Sequence, residues 1–200
     1  MTAINKTSAE LLASKALASG MKKELVENIL PYWINNMSHA SGEGFYGRID
    51  GHDILDPSAP VGGIMTARIL WTFASAYRVL GNPEYLKVAL RAKNLIINKF
   101  YDAEFGGTYW ALDAEYRPVA TKKQIYAIAF AIYGLSELNR ATGDAEALEY
   151  AVRLFHSIED HSFDKEKDGY FEAFTRSWEQ IEDMRLSDKD ANESKTMNTH

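Results

Sequence analysis

The chain contains no cysteine. That absence removes disulfides, thiolate nucleophiles and cysteine-ligated zinc together. Long apolar runs are missing as well. The most apolar stretch, Ile125 to Leu135, carries no charge, but it is shorter than the roughly 20 residues a membrane helix needs. The first residues scatter Lys6, Glu10 and Lys15 and show no apolar core of a secretory signal, so the expected location is the cytoplasm. Basic runs never exceed two residues and the net charge is −6, which speaks against a nucleic-acid partner. Neither a Walker loop nor a nucleophile elbow is present.

What the chain does hold is enough apolar material, 46% of 200 residues, for one domain with a sizeable core. Two stretches organise it. Ile64 to Leu80 carries Arg68 as the one charge of its first turns and Arg78 near its end, and Lys122 to Leu138 is closed off by Lys122, Lys123 and Glu137. Neither shows the regular polar positions of a surface helix, so both are expected to be helices packed on all sides. Tyr85 to Phe100 and Ala145 to Ile158 differ. Each has one apolar stripe at helical spacing. Buried helices alternating with one-faced helices imply two layers.

Punctuation marks the remaining elements. A helix is expected over Met21 to Met37, kinked at Pro31, with a short one before it from Ser8. Gly81-Asn82-Pro83 and Thr142-Gly143-Asp144 end one helix and begin the next, Asp144 as the cap. Hairpins are expected over Gly42 to Pro57 and Tyr101 to Val119, with a third turn segment over Phe163 to Glu172. The tail reads as a short helix near Trp178, a charged loop from Asp183 to Glu193, and Lys-Thr-Met-Asn-Thr-His.

Laid on itself at an offset of 62, the chain repeats. Gly81 falls on Gly143, Asp102 on Asp164, Glu104 on Glu166 and Gly107 on Gly169, while Gly44 lies 63 before Gly107. Three such units read as an α/α toroid, too few to close a ring. The open edge offers apolar surface for self-association.

Several candidate motifs fall away. Gly42 to Gly47 fits a dinucleotide fingerprint, but no buried strand precedes it and no helix follows. Asp188 to Asn192 opens like a calcium loop, then places Glu193 where glycine is required and Thr199 where a bidentate glutamate is required. His39, His52, His156 and His161 have no metal-ligand spacing. Glu172, Asp183, Asp188 and Asp190 read as a solvated carboxylate face. Arg68, on an apolar helix, calls for a carboxylate, a carbonyl or a ligand as its partner. Trp71 and Trp110 either stack on sugar rings or fill the layer, the second being the ordinary case.

The strings GFYGRIDG, GGIMTARILWTFASAYRVLGNPEYL, EFGGTYWALD, TKKQIYAIAFAIYGLSE and LSDKDANESKTMNTH resemble the N-acylglucosamine 2-epimerase superfamily, most closely its cellobiose 2-epimerase branch, over residues 25 to 200. The resemblance implies an all-α fold of the (α/α)6-barrel type with short β-hairpins in its loops. This chain would supply about half of that barrel, residues 1–20 being an extension and 21–200 the N-terminal half of the epimerase domain. It implies a sugar 2-epimerase that turns the reducing-end glucose of a cellobiose-type disaccharide into mannose. The ring opens, a histidine takes the C2 proton, a cis-enediolate forms, and a second histidine returns the proton to the other face. No metal or cofactor is implied for this chemistry. The implied sugar-binding residues are Arg68 in TARILW, Tyr126 in KKQIYAIAF, Asp190 in DKDAN and Asn198 in KTMN. The implied catalytic histidines lie beyond residue 200, and His200 itself takes no assigned role. The other reading is a non-catalytic half-toroid that binds sugar or protein.

Overall fold

The computed structural model describes residues 8–199, and the side chains of 13–199. The chain divides into two compact units, Met1–Ser38 and His39–His200. The first is helical from Ser8 to Met37 and ends on an extended Ser38. Helix α1 (Ser8–Glu24) runs into a π-helical turn over Leu25–Ile29, then α2 (Leu30–Tyr32), then a second π-helical turn over Trp33–Met37. The short helix expected from Ser8 is thus a long one, continuous with the Met21 to Met37 helix. Pro31 cannot donate a backbone hydrogen bond, and the wider turns on either side of it let the helix pass.

The second unit is built on the repeat. Helix α3 (Gly63–Leu80) and helix α5 (Ile125–Thr142) are 18 residues each and stand 62 apart in sequence. Both end on a left-handed glycine, Gly81 at φ 72° and Gly143 at φ 76°, the conformation a side chain resists. Helix α4 (Pro83–Leu95) follows the first, capped by Asn82, whose side chain accepts from Glu84 N at 3.0 Å. A π-helical turn over Ile96–Phe100 extends it. Helix α6 (Ala145–His161) follows the second, and Asp144 caps it, accepting from Ala147 N at 2.9 Å.

Packing matches the two kinds of helix. α3 packs on α5 and α4, and α5 packs on α6. At Gly134 the helices come so close that a Cβ would lie 2.8 Å from the Ala67 carbonyl oxygen. Glu137 of α5, almost fully buried, accepts from Ser75 and Arg78 of α3 at 2.9 and 2.7 Å. α6 buries Ala147, Ala151, Leu154 and Ile158, the stripe its sequence carries.

The expectation of helices buried on all sides needs correction. Ala129, Tyr133 and Ser136 of α5 are exposed, as is Arg68 of α3. Uncharged residues on those faces form an open aromatic surface rather than a core.

Among the described residues, seven two- or three-residue strands complete the unit. The expected hairpins form as β1 (Arg48–Ile49) with β2 (Leu55–Asp56) and β4 (Ala111–Leu112) with β5 (Pro118–Ala120). Pairing also runs between successive repeats of this unit. Just before α3, β3 (Val61–Gly62) pairs antiparallel with β4. Just before α5, β6 (Lys123–Gln124) pairs antiparallel with β7 (Ala173–Phe174). Each inner helix is therefore anchored at its start by the hairpin that follows its outer partner. No helix forms near Trp178. The segment turns there, with Trp178 left-handed at φ 67°, and its side chain reaches back into the preceding hairpin.

The anchor of α5 is ionic as well. Lys123 and Asp102 are both fully buried and 2.8 Å apart, and Arg176 binds the same carboxylate at 2.8 and 3.1 Å. Burial alone would raise the Asp102 carboxyl, but hydrogen bonds from Arg176 and Lys123 outweigh it and hold the group well below the usual carboxylate range. Burial pushes the Lys123 ammonium down despite its partner. The carboxylate has two cations and the ammonium one anion, so the ionised pair is the state the geometry favours.

Candidate functional site

Four residues of α5 share one face at helical spacing: Tyr126, Ala129, Phe130 and Tyr133. With Asn198 and Thr199 of the tail they line an open cleft of about 400 Å³. Its wall is aromatic. The Tyr126 and Phe130 rings meet edge-on at 4.9 Å, and Phe130 meets Tyr133 edge-on at 6.2 Å. Tyr133 in turn stacks on Trp71 of α3 at 5.0 Å with an interplanar angle of 11°. Trp71 is half-buried, so it extends this wall instead of filling the layer.

Arg68 stands beside the same wall, its guanidinium 4.8 Å from the centre of the Phe130 ring. It is exposed and forms no ion pair among the described residues, contrary to the buried charge expected. A solvated guanidinium needs no carboxylate, and a ring face suffices to orient it.

The tail reaches the cleft because buried polar groups hold it. Glu172 is 2% exposed, not part of a solvated face. Its backbone carbonyl accepts from Ile125 N at 3.0 Å at the start of α5, its own N–H donates to the Ser194 carbonyl at 3.0 Å, and its carboxylate accepts from Thr196 N at 2.7 Å. Lys122 donates to the Arg185 carbonyl at 2.8 Å and Gln124 to the Met184 carbonyl at 3.1 Å. Asn192 bridges the loop, accepting from Met184 N at 3.0 Å and donating to the Glu182 carbonyl at 2.8 Å. Thr196 then fixes Asn198 through a 3.1 Å bond to its N–H. Burial pushes the Lys122 ammonium down, where it also faces the Trp110 ring at 5.3 Å.

Of the residues singled out in the sequence, Tyr126 and Asn198 meet in the cleft, and Arg68 borders it through Phe130. Asp190 lies one step away. Its carboxylate accepts from Ser187 N and Oγ at 2.9 and 2.8 Å, and with Asn198 and Glu172 it lines a small adjoining cavity. His200 lies outside the described residues. Sequence reading missed Phe130, Tyr133 and Glu172. The first two were legible as positions four and seven past Tyr126; nothing local marked Glu172 as buried.

Aromatic faces, a hydroxyl, an amide and a guanidinium together suit a polyol, whose C–H faces pack on rings while its hydroxyls find donors and acceptors. No histidine or carboxylate lines the cleft among the described residues. A larger groove of about 630 Å³, lined by Lys87, Arg91, Asn94, Lys99 and Tyr116, lies along α4 and contains none of these site residues.

Residues 44–189 match the family model for N-acylglucosamine 2-epimerase (GlcNAc 2-epimerase). The chain is 61% identical to a cellobiose 2-epimerase of Bacteroides fragilis over 92% of its own length and 47% of that protein. It is 42% identical to a cellobiose 2-epimerase of Ruminococcus albus over 91% of its length and 46% of that protein. The solved structure of cellobiose 2-epimerase from Bacillus thermoamylovorans B4167 superposes with a TM-score of 0.87 at 36% identity, covering 92% of this chain and 47% of that one. The chain thus spans about half the length of the curated relatives it matches.

Proposed function

The chain belongs to the N-acylglucosamine 2-epimerase family, and from that premise we propose that it provides the sugar-holding half of a disaccharide 2-epimerase. The observation that carries this reading is the convergence of Tyr126 and Asn198 on one aromatic cleft, with an exposed, unpaired Arg68 at its border. Cellobiose is the substrate named for the relatives. The proposed reaction converts its reducing-end glucose to mannose.

Arg68 binds the sugar oxygens on which negative charge grows as the C2 proton leaves, so its contact strengthens in the enediolate. Tyr126 and Asn198 fix hydroxyls, and the Phe130–Tyr133–Trp71 wall supports the ring faces. Asp190 orients the loop behind Asn198. In this proposal the imidazole groups that move the proton near neutral pH lie beyond residue 200. The architecture proposed is correspondingly half of an (α/α)6 barrel from residue 21 onward, with 1–20 as an extension. Leu148, Val152 and Phe155, each 44–50% exposed on α6, mark the edge through which copies of an isolated half would associate.

No described helix is long and apolar enough to cross a membrane. We place the protein in the cytoplasm, which fractionation of the producing cells tests. The binding-module reading draws no support from relatives named for an epimerase. The deciding experiment is to incubate the native gene product with cellobiose in deuterated water. Epimer carrying deuterium at C2 is expected, and sugar binding with neither epimer nor exchange defeats the proposal.

A further inference from the structure

The two hairpins that follow α4 and α6 carry an aromatic residue at the tip, and each aromatic does the same thing. Tyr116, at φ 61°, and Trp178, at φ 67°, stand 62 apart in sequence, and both are left-handed although bulky side chains disfavour that conformation. The Tyr116 ring lies on Gly44, where a Cβ would come within 2.6 Å of its Cζ and Oη. The Trp178 ring lies on Gly107, where a Cβ would come within 2.8 Å of Cζ2. Each aromatic also donates a hydrogen bond to a phenylalanine carbonyl within two residues of its glycine: Tyr116 Oη to Phe45 at 3.4 Å, and Trp178 Nε1 to Phe105 at 2.7 Å. A tip aromatic of one unit is thus seated on the glycine of the unit before it.

Gly44 and Gly107 are buried under these rings. Gly169 is the next glycine in the series, 62 residues after Gly107, in the same turn after an aspartate that accepts backbone N–H bonds two residues on (Asp102 to Glu104, Asp164 to Glu166). It is left-handed at φ 80°, yet only half-buried.

We propose that Gly169 is an aromatic-docking seat, and that its occupant is the tip aromatic of a further hairpin of the same polypeptide, about 62 residues past Trp178 in the register the repeat sets. The relatives are long enough to hold such a unit, since this chain covers only 46–47% of them. The ring, together with an N–H or O–H aimed at a backbone carbonyl beside Gly169, couples one repeat to the next. This coupling is independent of the reaction the protein performs.

The test uses the native gene product with a benzoylphenylalanine photo-crosslinker in place of exposed Lys167, two residues before Gly169, and mass spectrometry of the linked peptides. The expected link is to one peptide bearing a tyrosine or tryptophan between two short strands, about 62 residues beyond Trp178. Links to any other segment, links between two copies, or no link at all would overturn the proposal. A second measurement compares Gly169→Asn with Gly107→Asn, because asparagine tolerates the left-handed backbone while its side chain displaces the ring. Both are expected to lower Tm by several degrees. An unchanged Tm for Gly169→Asn beside a lowered one for Gly107→Asn rules the seat out.

Discussion

Arg68 and Phe130 sit on different inner helices, yet the guanidinium of one lies 4.8 Å from the ring centre of the other. A flexible, exposed cation is thereby held at the mouth of the cleft without a carboxylate to neutralise it. Its charge stays available to a ligand.

Removing that cation is expected to reduce kcat of the native gene product on cellobiose by about 100- to 1,000-fold in Arg68→Ala, as for loss of a donor to a developing oxyanion. Phe130→Leu keeps the cation but loses the ring face, and a fall of roughly two- to five-fold is expected, in line with about 0.5–1 kcal/mol for an exposed cation–π contact. Equal losses in the two variants would show that the ring, not the charge, is what matters. Steady-state kinetics with both variants decides.

Glu172 links the start of α5 to the tail that carries Asn198. Glu172→Ala leaves the Thr196 N–H without its acceptor and is expected to cost about 1–3 kcal/mol, with faster proteolysis across residues 183–199 and weaker sugar binding. Glu172→Gln retains an acceptor oxygen and should recover most of both. Limited proteolysis and calorimetry on the three proteins would show it; identical digestion of wild type and Glu172→Ala would remove Glu172 from this role.

Lys123 is fully buried against Asp102. Lys123→Met takes one cation from a buried carboxylate and is expected to destabilise by about 3–5 kcal/mol, toward the lower end because Arg176 stays in place. Urea denaturation measures it. A variant as stable as wild type would mean that the pair contributes nothing net.

Acid should unfold the protein through this network and through a separate one, in which Asp164 accepts from Lys195. The folded-state Asp102 carboxyl titrates below its unfolded value, and the hydrogen bonds of Lys195 and two backbone N–H groups lower Asp164 to about 2. Groups shifted in this direction contribute fully above the unfolded carboxylate range, near pH 4, and lose that contribution as pH falls through the folded value. Tm is therefore expected to change little from pH 7 to 5 on account of these groups and to fall steeply below pH 4. The fall between pH 4 and 2 should be shallower in Asp164→Asn, and an unchanged slope would exclude Asp164 as a contributor.

Much of this was legible from residue order. The repeat at 62, the glycine stops at Gly81 and Gly143, the Asp144 cap and the stripe of α6 are local matters of backbone conformation and helical period, and they stand as read. The family follows from the same strings. Less was legible at the site. Tyr126 and Asn198 are 72 residues apart, and nothing between them announces that a buried Glu172 brings the tail back to α5. Strands β3 and β6, two residues each, are too short to show an alternating pattern.

Sequence by itself determined the four helices of the repeat, where they stop and how often the unit recurs, because those depend on neighbours within a few residues. Tertiary structure decided which faces stay open. An uncharged helix face looks the same in sequence whether a neighbour covers it or not, so α5 read as core although Ala129 and Tyr133 are exposed. Arg68 read as a buried charge in want of a carboxylate, a carbonyl or a ligand, and the fold left it in solvent over a ring. Burial is a property of the whole packed chain, and it was burial that turned a set of apolar residues into a cleft.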